Sequence, residues 1–526
     1  MKIPLLIICL SIGTILNTFS QPEQLQRFEL EKKNTDNYFN VTNLGARGVI
    51  IFRDTDEYRR EAKAKAWQIM ALDTALETRW DKELFIDGRY IFKGFEQGPD
   101  KLYLLFKENE YEVSNFILVT IDIADGQETR YDIENQISIE LSNMIILDDY
   151  LVLAGYVRYS PTLVTYKLGG KGLTVMPGFF KDKSDILDLH ANANSTFNIL
   201  TLEKEYGVYN LKFRTYVPSG DILFEKSSVV DRSYKIVDGK IAGFVGGNVI
   251  LTGTYGNISS IYSQGLYFIE LRPEGQEDMV KFINYGELEH FFDYMKPKRA
   301  ARMKEKVKEK VAQNKEFRYS SRLFMHPVQQ HGKGFLLAAE IYDPQFEKIG
   351  NRNVFSPFAY THPVYDPTSF SNSARQSYVR RPDNHPQVKE ADHFNYLQFI
   401  VVKLDAQGQI QWDNSFKIED VKTYSLESVV DFNVNYDRLN MIYKSEKEIR
   451  YKVIEADAPI DEGRAKIKLN SENAVIRSTF DGVGGTYHWY DKYFYAWGFH
   501  KIDENDQEDI DNRKSILFIN KIRFEN

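Results

Sequence analysis

Five of the nine histidines fall in one stretch: His326, His331, His362, His385 and His393. Clustered imidazoles suggest zinc, which needs three or four ligands converging in space. No H-x-x-x-H spacing occurs, and His362 and His385 each precede a proline in loop-like sequence, so no metal site is expected. The glycines of 481–485, DGVGG, lack the spacing and following helix of a phosphate loop and read as a turn, as does Gly246-Gly247. There is no G-x-S-x-G, and the only cysteine, Cys9, lies in an apolar leader, which excludes a Cys–His nucleophile from the rest of the chain. Asp503-Glu504 and Glu508-Asp509 sit in a polar hairpin loop, as solvated charge. The sequence nominates no catalytic residue, no cofactor and no metal ligand set.

Charge is the clearer signal. Residues 296–322 hold eleven Lys/Arg against three Asp/Glu, a net +8, so the remainder of a chain of −8 carries −16. Residues 300–314 predict a helix without glycine, whose thin apolar stripe is Met303, Val307 and Val311. Lys298, Arg299, Arg302, Lys304, Lys308 and Lys310 are the candidate partner contacts, since concentrated charge steers association. A second stretch, 344–395, is rich in Pro, Ser, Asn and aromatic residues, and Phe355, Phe358, Tyr360 and Tyr365 join the candidates. A loop of this length in a compact domain is usually functional or disordered, and its aromatic content argues against complete disorder.

A repeat must position these segments. Apolar central strands start at residues 49, 102, 151, 197, 249, 335, 439 and 493, at intervals of 53, 49, 46, 52, 86, 104 and 54. The two long intervals contain the basic segment (about 287–322) and the aromatic loop (344–395). Each central strand is followed by a partner strand, and several partners end in a polar turn: 122–126, Pro218-Ser219-Gly220, Pro273-Glu274-Gly275 and Asp405-Ala406-Gln407-Gly408. Four short strands per unit of about 50 residues predict a propeller blade. The fold expected is all-β: a single β-propeller of eight blades, seven if one weak unit is an embellishment. The eighth unit ends before a fourth strand, and residues 25–30 are expected to fill that edge.

The stretch Leu404-Asp405-Ala406-Gln407-Gly408-Gln409-Ile410-Gln411-Trp412 resembles the tryptophan-docking motif of quinoprotein-type eight-bladed propellers. Leu72-Asp73-Thr74-Ala75-Leu76-Glu77-Thr78-Arg79-Trp80 is a looser copy without the glycine. In that family the motif ties neighbouring blades together, and no quinone or calcium site transfers residue by residue. The chain is similar in compartment to the periplasmic propeller scaffold of the outer-membrane β-barrel assembly machinery. Periplasmic proteins that plug or gate outer-membrane secretion pores offer another non-catalytic parallel.

Residues 1–20 combine Lys2, an apolar run of about 14 residues and a small residue before a polar start, and predict a secretory signal peptide. That run is short of the roughly 20 residues that span a bilayer, and no second such run follows. Residues 21–526 would form the propeller, exported to the periplasm, either free there or peripheral to the outer membrane. The negative charge argues against a nucleic-acid partner. The function expected is a non-catalytic scaffold or gating subunit whose partner is an outer-membrane assembly or secretion complex. The alternative is a propeller enzyme or carbohydrate-binding protein with its site at the channel mouth.

Overall fold

Eight antiparallel sheets follow one another along the chain in a propeller ring. The computed structural model describes residues 22–33, 36, 38–109, 113–158, 160–178, 184–205, 208–258, 260, 262–345, 393–446, 448–470, 474–479, 483–504 and 513–524. Every central strand expected from sequence is the second strand of a blade, and every partner strand is the third. Their apolar, β-branched and aromatic residues face neighbouring blades on both sides, which is why they read as continuous runs rather than alternation. First strands of adjacent blades lie against one another and mark the axis.

Closure matches the expectation. Glu23–Glu31 pairs antiparallel with Arg513–Arg523, supplying the outer strand of the eighth blade, with Phe28 opposite Ile519. The first and last described segments therefore share one sheet, and the exposed edge that Arg513–Arg523 would otherwise present is covered.

Antiparallel order fixes which loops share a face. The turns joining strands two and three, and the connections to the next blade, emerge on one face, termed upper. The turns joining strands one and two, and three and four, emerge on the lower face. The basic segment lies in the connection from blade 5 to blade 6, and the aromatic stretch lies between strands two and three of blade 6. Both interruptions therefore arise on the upper face.

The turns between strands three and four tie the ring on the lower face. Trp80, on the outer strand Thr78–Asp87 of blade 1, donates its Nε1–H to the carbonyl of Ile123 in blade 2 at 3.1 Å. A β-carbon on Gly126 (φ 73°) would lie 2.9 Å from the indole, so the ring packs on a bare glycine. Trp80 thus joins blade 1 to blade 2. At the other copy Gly408 packs under Phe268 of blade 5, while Asn414, two residues beyond Trp412, donates to the Asp457 carbonyl of blade 7 at 3.0 Å.

Two sequence readings need correction. The helix runs Pro297–Ala312, three residues earlier than expected at its start, because Pro297 pre-sets φ at the first helical position. Residues 483–485 stand between two strands, as read, but both strands pair with the same partner and the chain does not reverse between them. They lie within the first strand of blade 8, between Ala474–Thr479 and Thr486–Tyr490, and Gly484 (φ 79°) places its α-carbon against the Trp497 backbone, where a β-carbon would lie 2.2 Å from the carbonyl oxygen. Gly246-Gly247 is a hairpin turn with both residues at positive φ, as read.

Candidate functional site

The upper face over blades 5 to 8 carries both long interruptions of the blade rhythm. Asn284 starts the basic segment by accepting from Gly286 N–H, while Glu287 accepts from Asn284 N–H at 2.7 Å. Tyr285 then stacks on Phe291 at 4.1 Å, and Phe292 meets Phe317 and Tyr319 edge-on. This aromatic plug is fastened to blade 6. The Asp413 carboxylate accepts from Glu289 and His290 N–H, each at 2.8 Å, and Gln398 Nε2 donates to the carbonyls of His290 and Phe291, each at 3.1 Å. Burial pushes the Asp413 pKa up, partly offset by those two N–H groups.

The helix Pro297–Ala312 rests on this plug through Ala300, Met303 and Val307. Val311, the third member of the expected stripe, is 67% exposed. Lys298, Arg299, Arg302 and Lys308 are exposed, and among the described residues no carboxylate pairs with them. Lys304 differs, forming an ion pair with Asp293 at 3.2 Å, and Lys310 is half-buried. The helix is poorly built for its own stability. Its N-cap Lys296 makes no side-chain cap, and its first turn carries Lys298 and Arg299 with no acid, against the helix dipole. Phe355, Phe358, Tyr360, Tyr365, His362 and His385 lie outside the described residues; the strands flanking them, Gly334–Gln345 and His393–Leu404, pair up to Gln345 and His393.

A cavity of about 410 Å³ opens on the same face, among the blade 6–7 connection, Lys444–Glu446 of blade 7 and the interrupted strand of blade 8. Its lining carries both signs of charge: Asp420, Glu427 and Glu446 against Lys422 and Lys444. Tyr396 forms part of its floor, donating to the Glu427 carbonyl at 2.6 Å and accepting from Glu427 N–H at 3.1 Å. Beneath it the fully buried Glu340 accepts from Val429 and Val430 N–H, both at 2.9 Å, with His326 Nε2 at 2.8 Å. His326 is thus part of a buried latch between blades 6 and 7. His331 stands against Lys403, 2.8 Å from its Nζ.

Sequence reasoning passed over Glu340 and Asp413. The signal was present for Glu340, a lone carboxylate in the run Leu336-Leu337-Ala338-Ala339-Glu340-Ile341, where an unpaired charge would be costly. Asp431 plays a similar part at the next seam, accepting from His488 N–H at 2.7 Å, and burial raises its pKa.

No protein-family profile and no curated protein matches the chain. Solved structures give distant likenesses. Prolyl oligopeptidase B from Galerina marginata is 7% identical, with a TM-score of 0.39 over 90% of this chain and 56% of its own. Polysaccharide lyase Uly1 is 8% identical, with a TM-score of 0.36 over 82% and 90%. Acylaminoacyl peptidase from Pyrococcus horikoshii is 7% identical, with a TM-score of 0.35 over 79% and 51%. The chain spans about half the length of these two peptidases. Likenesses at these values assign no activity.

Proposed function

We propose that this chain is a non-catalytic interaction scaffold, acting in the periplasm as an accessory or gating subunit of an outer-membrane assembly or secretion complex. One observation carries the reading: a cationic helix, uncapped and charged against its own dipole, is held on a rigid plug on the face from which the aromatic insertion also arises. Helix stability does not explain Lys298 and Arg299 at that end. Recognition of an acidic partner surface does, because exposed unpaired cations contribute to encounter rate and orientation. Reversing Arg299, Arg302 and Lys308 to Glu tests this, with capture of the partner as readout and melting temperature as the folding control.

A second reading is supported by the cavity. An enzyme or carbohydrate-binding propeller would place its ligand among Asp420, Glu427 and Glu446. Saturable binding or turnover of a polysaccharide, abolished by Glu427→Gln, would favour that reading over the scaffold.

A further inference from the structure

On the lower face, away from the helix, the turns after the third strands of five blades carry a glycine at positive φ: Gly126, Gly169, Gly220, Gly275 and Gly408. Each follows the third strand of its blade. Three are covered by the preceding blade, Gly126 by Trp80, Gly220 by Met176 and Pro177, and Gly408 by Phe268. Gly169 is bare as well, and Gly275, to which blade 4 is the preceding blade, has nothing within 4 Å of where its β-carbon would stand.

The preceding blade shows why. Trp80 lies opposite Ala71, just past a bulge in the pairing with Thr78–Asp87. At the same place in blade 4, Phe224 lies opposite Thr215, just past the bulge in the pairing with Ile222–Val229. Phe224 therefore holds the position of Trp80, and Lys226 that of Lys82. A phenyl ring is smaller than an indole and has no N–H. The carbonyl equivalent to that of Ile123 is Arg272 C=O, and here Lys226 Nζ takes it, while also pairing with Asp278 at 3.3 Å. The seam is closed by an ammonium, and its aromatic position is left outside.

The result is an exposed apolar site. Phe224 is 44% exposed and Phe244, from blade 5, is 48% exposed; both pack edge-on against Phe213, at 5.9 and 6.3 Å. Val280 of blade 5 is exposed on the same seam, and Ile222 and Leu223 adjoin Phe224. Exposed aromatic groups gathered in this way mark contact surfaces on soluble proteins. The surrounding exposed charge is acidic: Asp221 beside Ile222, and Glu274 and Glu277 in the turn of Gly275.

We propose that the blade 4–5 seam is a docking site for an aromatic side chain, best an indole, carried on a basic segment of a partner protein. The chain itself shows the fit, since Trp80 occupies the corresponding place on Gly126. The phenyl rings of Phe224 and Phe244 supply the walls, the bare Gly275 the platform, and Asp221, Glu274 and Glu277 select cations beside the ring. This surface is on the opposite face from the cationic helix and does not depend on that helix having a partner.

Saturation-transfer NMR of the full chain with acetyl-Lys-Trp-Lys-amide tests it, with acetyl-Lys-Leu-Lys-amide and acetyl-Glu-Trp-Glu-amide as comparisons. The Lys-Trp-Lys peptide should bind saturably, at least tenfold tighter than either comparison, and Phe224→Ser should abolish binding. Phe224→Trp provides a second measurement. Its own indole should cover Gly275, raise the melting temperature and block the peptide. Absence of saturable binding to the parent chain, or equal binding by Phe224→Ser, would overturn the proposal.

Discussion

Trp80 lies over Gly126 so closely that a β-carbon on the glycine would come within 2.9 Å of the indole, and this contact joins blade 1 to blade 2. Gly126→Ala should therefore cost both the positive-φ strain of about 1–2 kcal/mol and a further overpacking penalty of about 1–3 kcal/mol. Gly275→Ala bears only the strain, because no atom lies within 4 Å. Chemical denaturation of the two variants should rank Gly126→Ala as clearly the less stable; equal losses would contradict the docking account.

Removing residues 22–31 should expose the edge of Arg513–Arg523 that Glu23–Glu31 now covers. An open apolar edge recruits other strands, so the shortened chain should aggregate or melt well below the full one. A monomeric product with unchanged melting would refute closure through the N-terminal strand.

Glu96, on the first strand of blade 2, has a pKa raised from 4.5 to about 8 by burial. Part of the residue reaches solvent, but Oε2 is buried without a hydrogen-bond partner among the described residues, and that atom carries the cost. The unfolded chain loses this proton near 4.5 and the folded chain near 8, so the folded state holds more protons between those values. Stability should fall as pH rises through that window, by an amount on the order of a few kcal/mol. Glu96→Gln should leave melting near pH 4 almost unchanged and raise it at pH 8. A constant offset at both pH values would show that the carboxyl does not titrate across the window.

The His326–Glu340 pair fastens blade 6 to blade 7 under the cavity. His326→Ala leaves the carboxylate its two backbone donors but removes its one side-chain partner. Losing a hydrogen bond to a carboxylate costs about 1.5–3 kcal/mol. Hydrogen exchange should show the amides of Val429 and Val430 losing protection ahead of distant blades such as blade 3; uniform loss would mean that the latch is not local.

How much was legible follows from which physics is local. The eight central strands are runs of β-branched and aromatic residues whose pattern is written in consecutive positions, so their placement and the closing role of the N-terminal strand could be read directly. The helix was found because its formers and charges are contiguous, although Pro297 shifted its start. The latch of Glu340 on Val429 and the grip of Asp413 on His290 join residues 89 and 123 positions apart, and no local pattern announces them. Lys304 was nominated with the other cations because its partner Asp293 lies eleven residues away, outside the helix. The equivalence of Phe224 with Trp80 needed the strand register, since it depends on a bulge in each pairing.

The scaffold reading is tested most directly by quantitative co-purification from detergent-solubilised envelopes, comparing the parent chain with the Arg299→Glu, Arg302→Glu, Lys308→Glu variant. Exposed charges contribute little to stability, about 0–1 kcal/mol per pair, so melting should hardly change. The parent should bring down a stoichiometric partner at low salt and lose it as salt rises, because the Debye length is only about 10 Å at 0.1 M. The account predicts that the triple variant folds and fails to capture that partner. Equal capture by the variant at low salt, or no stoichiometric partner for the parent chain, would contradict it.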